Sequence, residues 1–154
     1  MFLSRFDNKV DKKGRVSVPA AWRALLAKQA FNGIVVFPSP NSDAIDGCGM
    51  DRMEQLSASI DTLNPFSEQR DAFARAIMSA SYPLQFDSDG RVMLPEPLLR
   101  HAGIVDLATF AGLGPTFQIW QPEKFAAKQA ADFERARSEA AELRLPERTG
   151  GSSV

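Results

Sequence analysis

The sequence predicts a mostly β core with peripheral helices, an α+β fold assembled from two copies of one small unit, and three observations predict it. The chain repeats a ten-residue stretch at a displacement of 76. Apolar and polar residues alternate on either side of each repeated turn, the period of half-buried strands. Helical spacing is confined to the segments between and after those strands. Hydrophobic residues make up 44% and charged residues 24% of the 154, the balance of a folded globular chain rather than a disordered one. A chain of this length buries about two-thirds of its unfolded surface, enough for a core without disulfides or metal staples.

The copies read Val-Asp-Lys-Lys-Gly-Arg-Val-Ser-Val-Pro over 10–19 and Phe-Asp-Ser-Asp-Gly-Arg-Val-Met-Leu-Pro over 86–95, with five of ten positions identical. Upstream, Phe6, Asn8 and Val10 alternate, as do Tyr82, Leu84 and Phe86, so each copy opens on a strand. Asp11-Lys12-Lys13-Gly14 and Asp87-Ser88-Asp89-Gly90 then read as tight turns. Aspartate at the first position bonds its own backbone two residues on, and glycine at the last accepts positive φ. Val16 and Val18, and likewise Val92 and Leu94, resume the alternation until Pro19 and Pro95 end the strands. Short helices follow, over Ala20 to Lys28 and over Pro97 to Ala102 with Gly103 as the stop. Each copy closes on an apolar strand, Ile34-Val35-Val36-Phe37 in the first and Phe117-Gln118-Ile119-Trp120 in the second. Units of about 50 residues rarely bury enough surface alone, so the two should share one pseudo-symmetric core.

Between the copies, Pro38 to Gly49 has the composition of a loop. Met53, Leu56, Ile60 and Leu63 keep helical spacing, and Asn64-Pro65 reads as an N-cap followed by a first-turn proline. Phe66, Phe73 and Ile77 would then line one helical face. Pro122 opens a last helix carrying Phe125, Phe133 and Leu143. The boundaries expected are 1–52 for the first unit, 53–80 for connecting helices, 81–124 for the second unit, 125–145 for the C-terminal helix and 146–154 for a disordered tail.

Catalytic chemistry finds little support. Cys48 stands between glycines and reads as an incidental exposed thiol, and His101, after Arg100, as a solvated residue at a helix end. One cysteine and one histidine leave no Cys-rich or multi-His metal site. Asp87-Ser88-Asp89-Gly90 resembles the start of a calcium loop, but Arg91 and Leu98 stand where oxygen ligands are needed. Phosphate-binding glycine motifs, an 18-residue apolar run and a signal-peptide pattern are all lacking. The expectation is no enzyme, no metal, no small-molecule cofactor and no membrane partner, in a reducing cytoplasm.

Charge points elsewhere. The net charge is -1, yet residues 1–28 hold seven basic groups against two acidic ones, and the remainder eleven against seventeen. A local positive field can recruit an anion although the whole chain is acidic. The first turn carries Lys12 and Lys13 at its tip, with Lys9 and Arg15 beside them; the second carries Ser88 and Asp89 instead. Two-stranded ribbons fit the DNA major groove, and an arginine fork matches a guanine edge. Arg15 and Lys13 are therefore the candidate DNA contacts, with Lys12 and Lys9 supporting them through phosphates. Asp11, Gly14, Asp87, Gly90 and Arg91 are read as structural, each arginine pairing with the aspartate four residues before it. Arg91→Ala is accordingly expected to harm folding or assembly before DNA binding.

These two motifs, with Trp22-Arg23 behind the first, the run Leu98 to Ile104 behind the second and later Ile119-Trp120, resemble the MraZ family over about residues 1–145. The resemblance implies two tandem SpoVT/AbrB-type swapped-hairpin domains. It implies a bacterial transcriptional regulator or repressor that binds double-stranded DNA at direct repeats upstream of the division and cell-wall gene cluster. It further implies homo-oligomeric rings, an octamer or dodecamer, and association with the nucleoid. One departure is Ser4, which many members replace by glycine. A swapped-hairpin antitoxin of the AbrB/MazE type is the alternative within the fold; a hydrolase and a protein-docking ring with an acidic face are alternatives from other classes.

Overall fold

The computed structural model describes residues 1–147; the greater part of the expected tail, from residue 148, lies outside the described residues. The chain forms a unit spanning Met1–Pro122 and a second unit from Glu123 onward. The first unit holds all eight strands found among the described residues. The first copy runs β1 (Arg5–Lys9), β2 (Arg15–Ser17), helix α1 (Ala20–Leu26), β3 (Gly33–Pro38), β4 (Ile45–Cys48) and α2 (Met50–Ile60). Helix α3 (Glu68–Phe73) continues as a π-helical stretch, Ala74–Ser79. The second copy runs β5 (Tyr82–Gln85), β6 (Arg91–Met93), α4 (Glu96–Ala102), β7 (Leu107–Gly112) and β8 (Phe117–Trp120). Helix α5 (Pro122–Glu139) and a 3₁₀ turn, Ala140–Glu142, make up most of the second unit.

The copies are intertwined. Six strands form one antiparallel sheet in the order β1-β7-β8-β4-β3-β5, while β2 and β6 pair with each other as a separate ribbon. Each copy's first strand thus leaves its own unit to pair with the other's third, β1 with β7 and β5 with β3. In the ribbon, Val16 faces Val92, residues 76 apart. At the sheet centre Asp46 faces Gln118, 72 apart, and Gln118 Nε2 donates to Asp46 Oδ1 at 2.8 Å. A pseudo-two-fold axis runs through both pairs, and the fall from 76 to 72 records the shorter connections of the second copy. Burial holds the Asp46 carboxyl above its ordinary pKa, because a charge there is only partly solvated.

Alternation sorts the side chains. Val16, Val18, Ile34, Val36, Val92, Leu94, Phe110, Phe117 and Ile119 enter the main core, closed by Trp22 and Leu26 of α1 and Leu98 and Ala102 of α4. Trp22 meets Phe2, Phe6, Phe110 and Phe117 at ring separations of 5.1–6.0 Å, and its Nε1 donates to the Leu3 carbonyl at 3.1 Å. Val35, Phe37 and Cys48, on the opposite face, pack with Met53, Ile60 and Ile77 in a second cluster.

Several expectations change. The apolar strands of the two copies are misaligned when Ile34–Phe37 is equated with Phe117–Trp120: β3 corresponds to β7 and β4 to β8. Ala108 and Ala111 in β7 hide a strand in which the four residues 108–111 are all buried. The stretch 38–49 is not all loop, because Ile45–Cys48 completes the sheet centre. Cys48 is consequently buried, and desolvation pushes its thiol up to about 11, the opposite of a reactive cysteine. His101 is half-buried, its Nε2 2.9 Å from the Ala44 carbonyl oxygen. Ser67 rather than Asn64 caps α3, its Oγ accepting from the Arg70 amide at 3.1 Å, while Asn64 Oδ1 holds the preceding turn through the Phe66 amide. Leu63 falls beyond α2, and Phe66, at 95% exposure, lies before α3 and faces solvent. Leu143 falls beyond α5.

Ser4 adopts φ +75°, the left-handed region that disfavours every residue with a Cβ. Ser4→Gly is expected to stabilise the fold by about 0.5–1 kcal/mol, the relief of strain exceeding the extra entropy glycine brings to the unfolded chain. Chemical denaturation of the two proteins checks this; equal midpoints would show that the strain is absorbed elsewhere.

Candidate nucleic-acid interface

Both turns are built as their residues dictate. In the first, Asp11 Oδ1 accepts from the amides of Lys13 at 2.9 Å and Arg15 at 2.8 Å, and the Gly14 amide donates to the Asp11 carbonyl at 2.9 Å. Gly14 takes φ +84° and Gly90 φ +73°. Each glycine is pressed against the other copy: the Leu94 amide donates to the Gly14 carbonyl at 2.9 Å and the Val18 amide to the Gly90 carbonyl at 3.2 Å. The Arg23 guanidinium fills the space a Cβ on Gly90 would need, while its Nε donates to the Val18 carbonyl at 3.1 Å. The turns are therefore rigid tips held by contacts across the pseudo-dyad.

Backbone donation from the Arg15 amide, then the Arg15 guanidinium and the Lys13 amide, holds the Asp11 carboxyl below its ordinary value of 3.8. The Arg91 and Asp89 amides do the same for Asp87. A lowered folded pKa adds stability that is present above the unfolded value and disappears as pH falls through the lowered one. The turns should therefore stay closed at pH 4 and open only on further acidification. Amide exchange at Lys13 and Arg15 across pH 5 to 2 reads this directly; opening already at pH 5 would contradict it.

The charge of the two hairpins differs sharply. Residues 9–15 hold four cations against one carboxylate, a net +3; their counterparts 85–91 hold one cation against two carboxylates, a net -1. Arg15 Nε donates to Asp11 Oδ2 at 2.6 Å, which fixes the base of the guanidinium while the side chain stays 35% exposed. Lys9, Lys12 and Lys13 are exposed and, among the described residues, form no ion pair. Arg91, in contrast, reaches Asp87 Oδ2 through Nε at 3.2 Å and Asp89 Oδ2 through a terminal nitrogen at 3.3 Å.

The ribbon register adds what the sequence reading lacked. Arg15 pairs with Met93 and Ser17 with Arg91, while Val16 and Val92 point into the core. Arg15, Ser17, Arg91 and Met93 thus share the outward face. Lys9, Arg15, Ser17 and Arg91, with Asp106 and Leu107, border one open cleft of about 490 Å³. Alternation already placed Ser17 with Arg15 and Met93 with Arg91; that the two strands pair with each other was not written in either. Arg91 pairs with Asp87 as expected, but both side chains are about a third exposed, so water screens the pair. Its loss should cost the fold little, and melting curves with gel shifts on Arg91→Ala decide whether folding or DNA binding fails first.

The architecture defines a class: a two-copy, intertwined hairpin protein with one cationic tip per chain. Comparison with known proteins gives the particular family. The profile described as "MraZ protein, putative antitoxin-like" matches residues 77–148. The chain is 52% identical over 141 residues to the transcriptional regulator MraZ of Pelagibacter ubique (strain HTCC1062), covering 88% of this chain and 91% of that one. It is 50% identical over 125 residues to the transcriptional regulator MraZ of Rickettsia akari (strain Hartford), covering 81% and 84%. It is 51% identical over 126 residues to the one from Rickettsia bellii (strain OSU 85-389), with the same coverage. The chain belongs to the MraZ family.

Proposed function

We propose that this chain is a transcriptional regulator that binds double-stranded DNA sequence-specifically through its first hairpin. Arg15 and Lys13 face base edges, and Lys12 and Lys9 neutralise phosphates. One observation carries the reading: an arginine buttressed by its own aspartate, amid three unpaired lysines, on a rigid two-stranded ribbon. The relatives' printed name supports regulation as the role. The further reading is a closed head-to-tail ring, an octamer or dodecamer, on direct repeats upstream of the division and cell-wall gene cluster, within the cytoplasm and on the nucleoid. Two similar but non-identical halves favour head-to-tail contacts, which close into a ring when the rotation permits. In such a ring all tips point the same way around the axis, so adjacent tips meet DNA in one orientation.

The experiment is selection of bound sequences from random DNA, followed by duplexes carrying the selected box once, twice directly or twice inverted, with light scattering for mass. A direct pair should bind about tenfold tighter than the single box, an avidity of about 1.4 kcal/mol. With about two or three phosphates neutralised by each hairpin, log affinity should fall against log salt with a slope of about -2 to -3 per engaged hairpin. Equal or better binding of the inverted pair by a plain dimer would sink the ring, and a slope near zero would remove the electrostatic contact. The antitoxin reading draws on the description of the matching profile; co-purification of a stoichiometric small partner that releases the DNA would favour it.

A further inference from the structure

The outward face of the β2–β6 ribbon is not symmetric. Its two diagonal corners carry arginine, Arg15 and Arg91, but the residues facing them differ: Ser17 stands opposite Arg91, and Met93 opposite Arg15. Met93 is 55% exposed, a large apolar side chain on a surface otherwise made of charged and hydroxyl groups. It does no work for the core, which is filled from beneath by Val92 and Leu94 at 2% exposure each. Its pseudo-symmetric counterpart is Ser17, so neither the repeat nor the strand pairing demands an apolar residue there.

We propose that Met93 reads a thymine through its 5-methyl group, one step from the base that Arg15 contacts. This rests on the DNA-binding reading above and assigns a specificity role to the second copy, whose own tip is acidic. Side chains directly opposite in an antiparallel pair stand about 4.5–5.5 Å apart. Successive bases rise about 3.4 Å, so a ribbon that lays Arg15 on one base edge lays Met93 on the same pair or the next. In the major groove the thymine methyl is the one apolar feature on offer, and a flexible, polarisable thioether suits it. The other cross-strand pair, Ser17 with Arg91, makes no such demand. One chain therefore reads a box with a direction, guanine and thymine at one end, and this agrees with repeats in direct orientation.

The test needs no variant to begin with. Duplexes carrying two direct copies of the selected box are prepared with each thymine in turn replaced by deoxyuridine, which deletes only the methyl. The parent protein should lose about fourfold in affinity at one thymine, the worth of one buried methyl group, and little at the others. That thymine should lie within one step of the guanine whose discrimination disappears in Arg15→Ala. Met93→Ser should bind thymine and deoxyuridine duplexes alike, and Met93→Leu should restore the difference; melting curves of all three proteins should coincide. A parent indifferent to every deoxyuridine overturns the proposal, as does a Met93→Ser protein that keeps the difference or one whose change is in oligomer mass. A parent that binds no duplex at all would instead strike the DNA-binding reading itself.

Discussion

Arg15→Ala is expected to abolish sequence-specific DNA binding while leaving the protein folded. An arginine fork on a guanine edge discriminates by about 1–3 kcal/mol, so each hairpin should lose about five- to 150-fold, and two engaged hairpins the product. The fold should hardly notice, because both partners of the Arg15–Asp11 pair are about a third exposed, so water screens it, and the turn is kept by backbone donors to Asp11. Arg15→Lys should rescue little, since an ammonium cannot fork onto two acceptors. Lys12→Ala should weaken all sequences alike and reduce the salt slope by about 1. Gel shifts and melting curves on these variants decide the matter. An Arg15→Ala protein that binds the selected box like its parent would remove Arg15 from the interface.

The largest effect on stability is expected from Trp22→Ala. Trp22 is 1% exposed and joins Phe2 and Phe6 of the first copy to Phe110 and Phe117 of the second. Deleting a buried aromatic ring costs about 3–5 kcal/mol, a large share of the 5–15 kcal/mol that holds a typical domain. The melting temperature should fall by about 10–20 °C. Because the rings come from both copies, the whole β unit should melt in one transition. A loss of only a few degrees, or a second transition in which one copy survives, would contradict a shared core.

Much of this was legible in the residues. The repeat at 76, the aspartate and glycine of each turn, the prolines that end β2 and β6, and the alternation of Val16 and Val18 are local signals, each obeying a rule that acts over four or five residues. The two tips could be ranked by charge alone, since Lys12-Lys13 against Ser88-Asp89 is a difference in composition. β4 and β7 leave little local signal for a physical reason. Ile45–Cys48 and Leu107–Gly112 carry glycine, aspartate and alanine, poor strand formers, and they become strands because neighbours on both sides supply a ladder. Cys48 is buried because β4 is a strand, and Phe66 faces solvent because Ser67, not Asn64, caps α3.

By itself the sequence determined the two turns and the sign of their charge, because these depend on residues close along the chain. Only the tertiary structure decided that each first strand crosses to the other copy and that β2 lies against β6, placing Met93 opposite Arg15 and Arg91 opposite Ser17. Those pairings join residues from 46 (Val36 with Tyr82) to 106 (Arg5 with Ala111) positions apart. Hydrogen bonds between strands are made by backbone groups that every residue carries, so the choice of partner leaves no mark in local sequence and is made by the burial that only the closed core achieves.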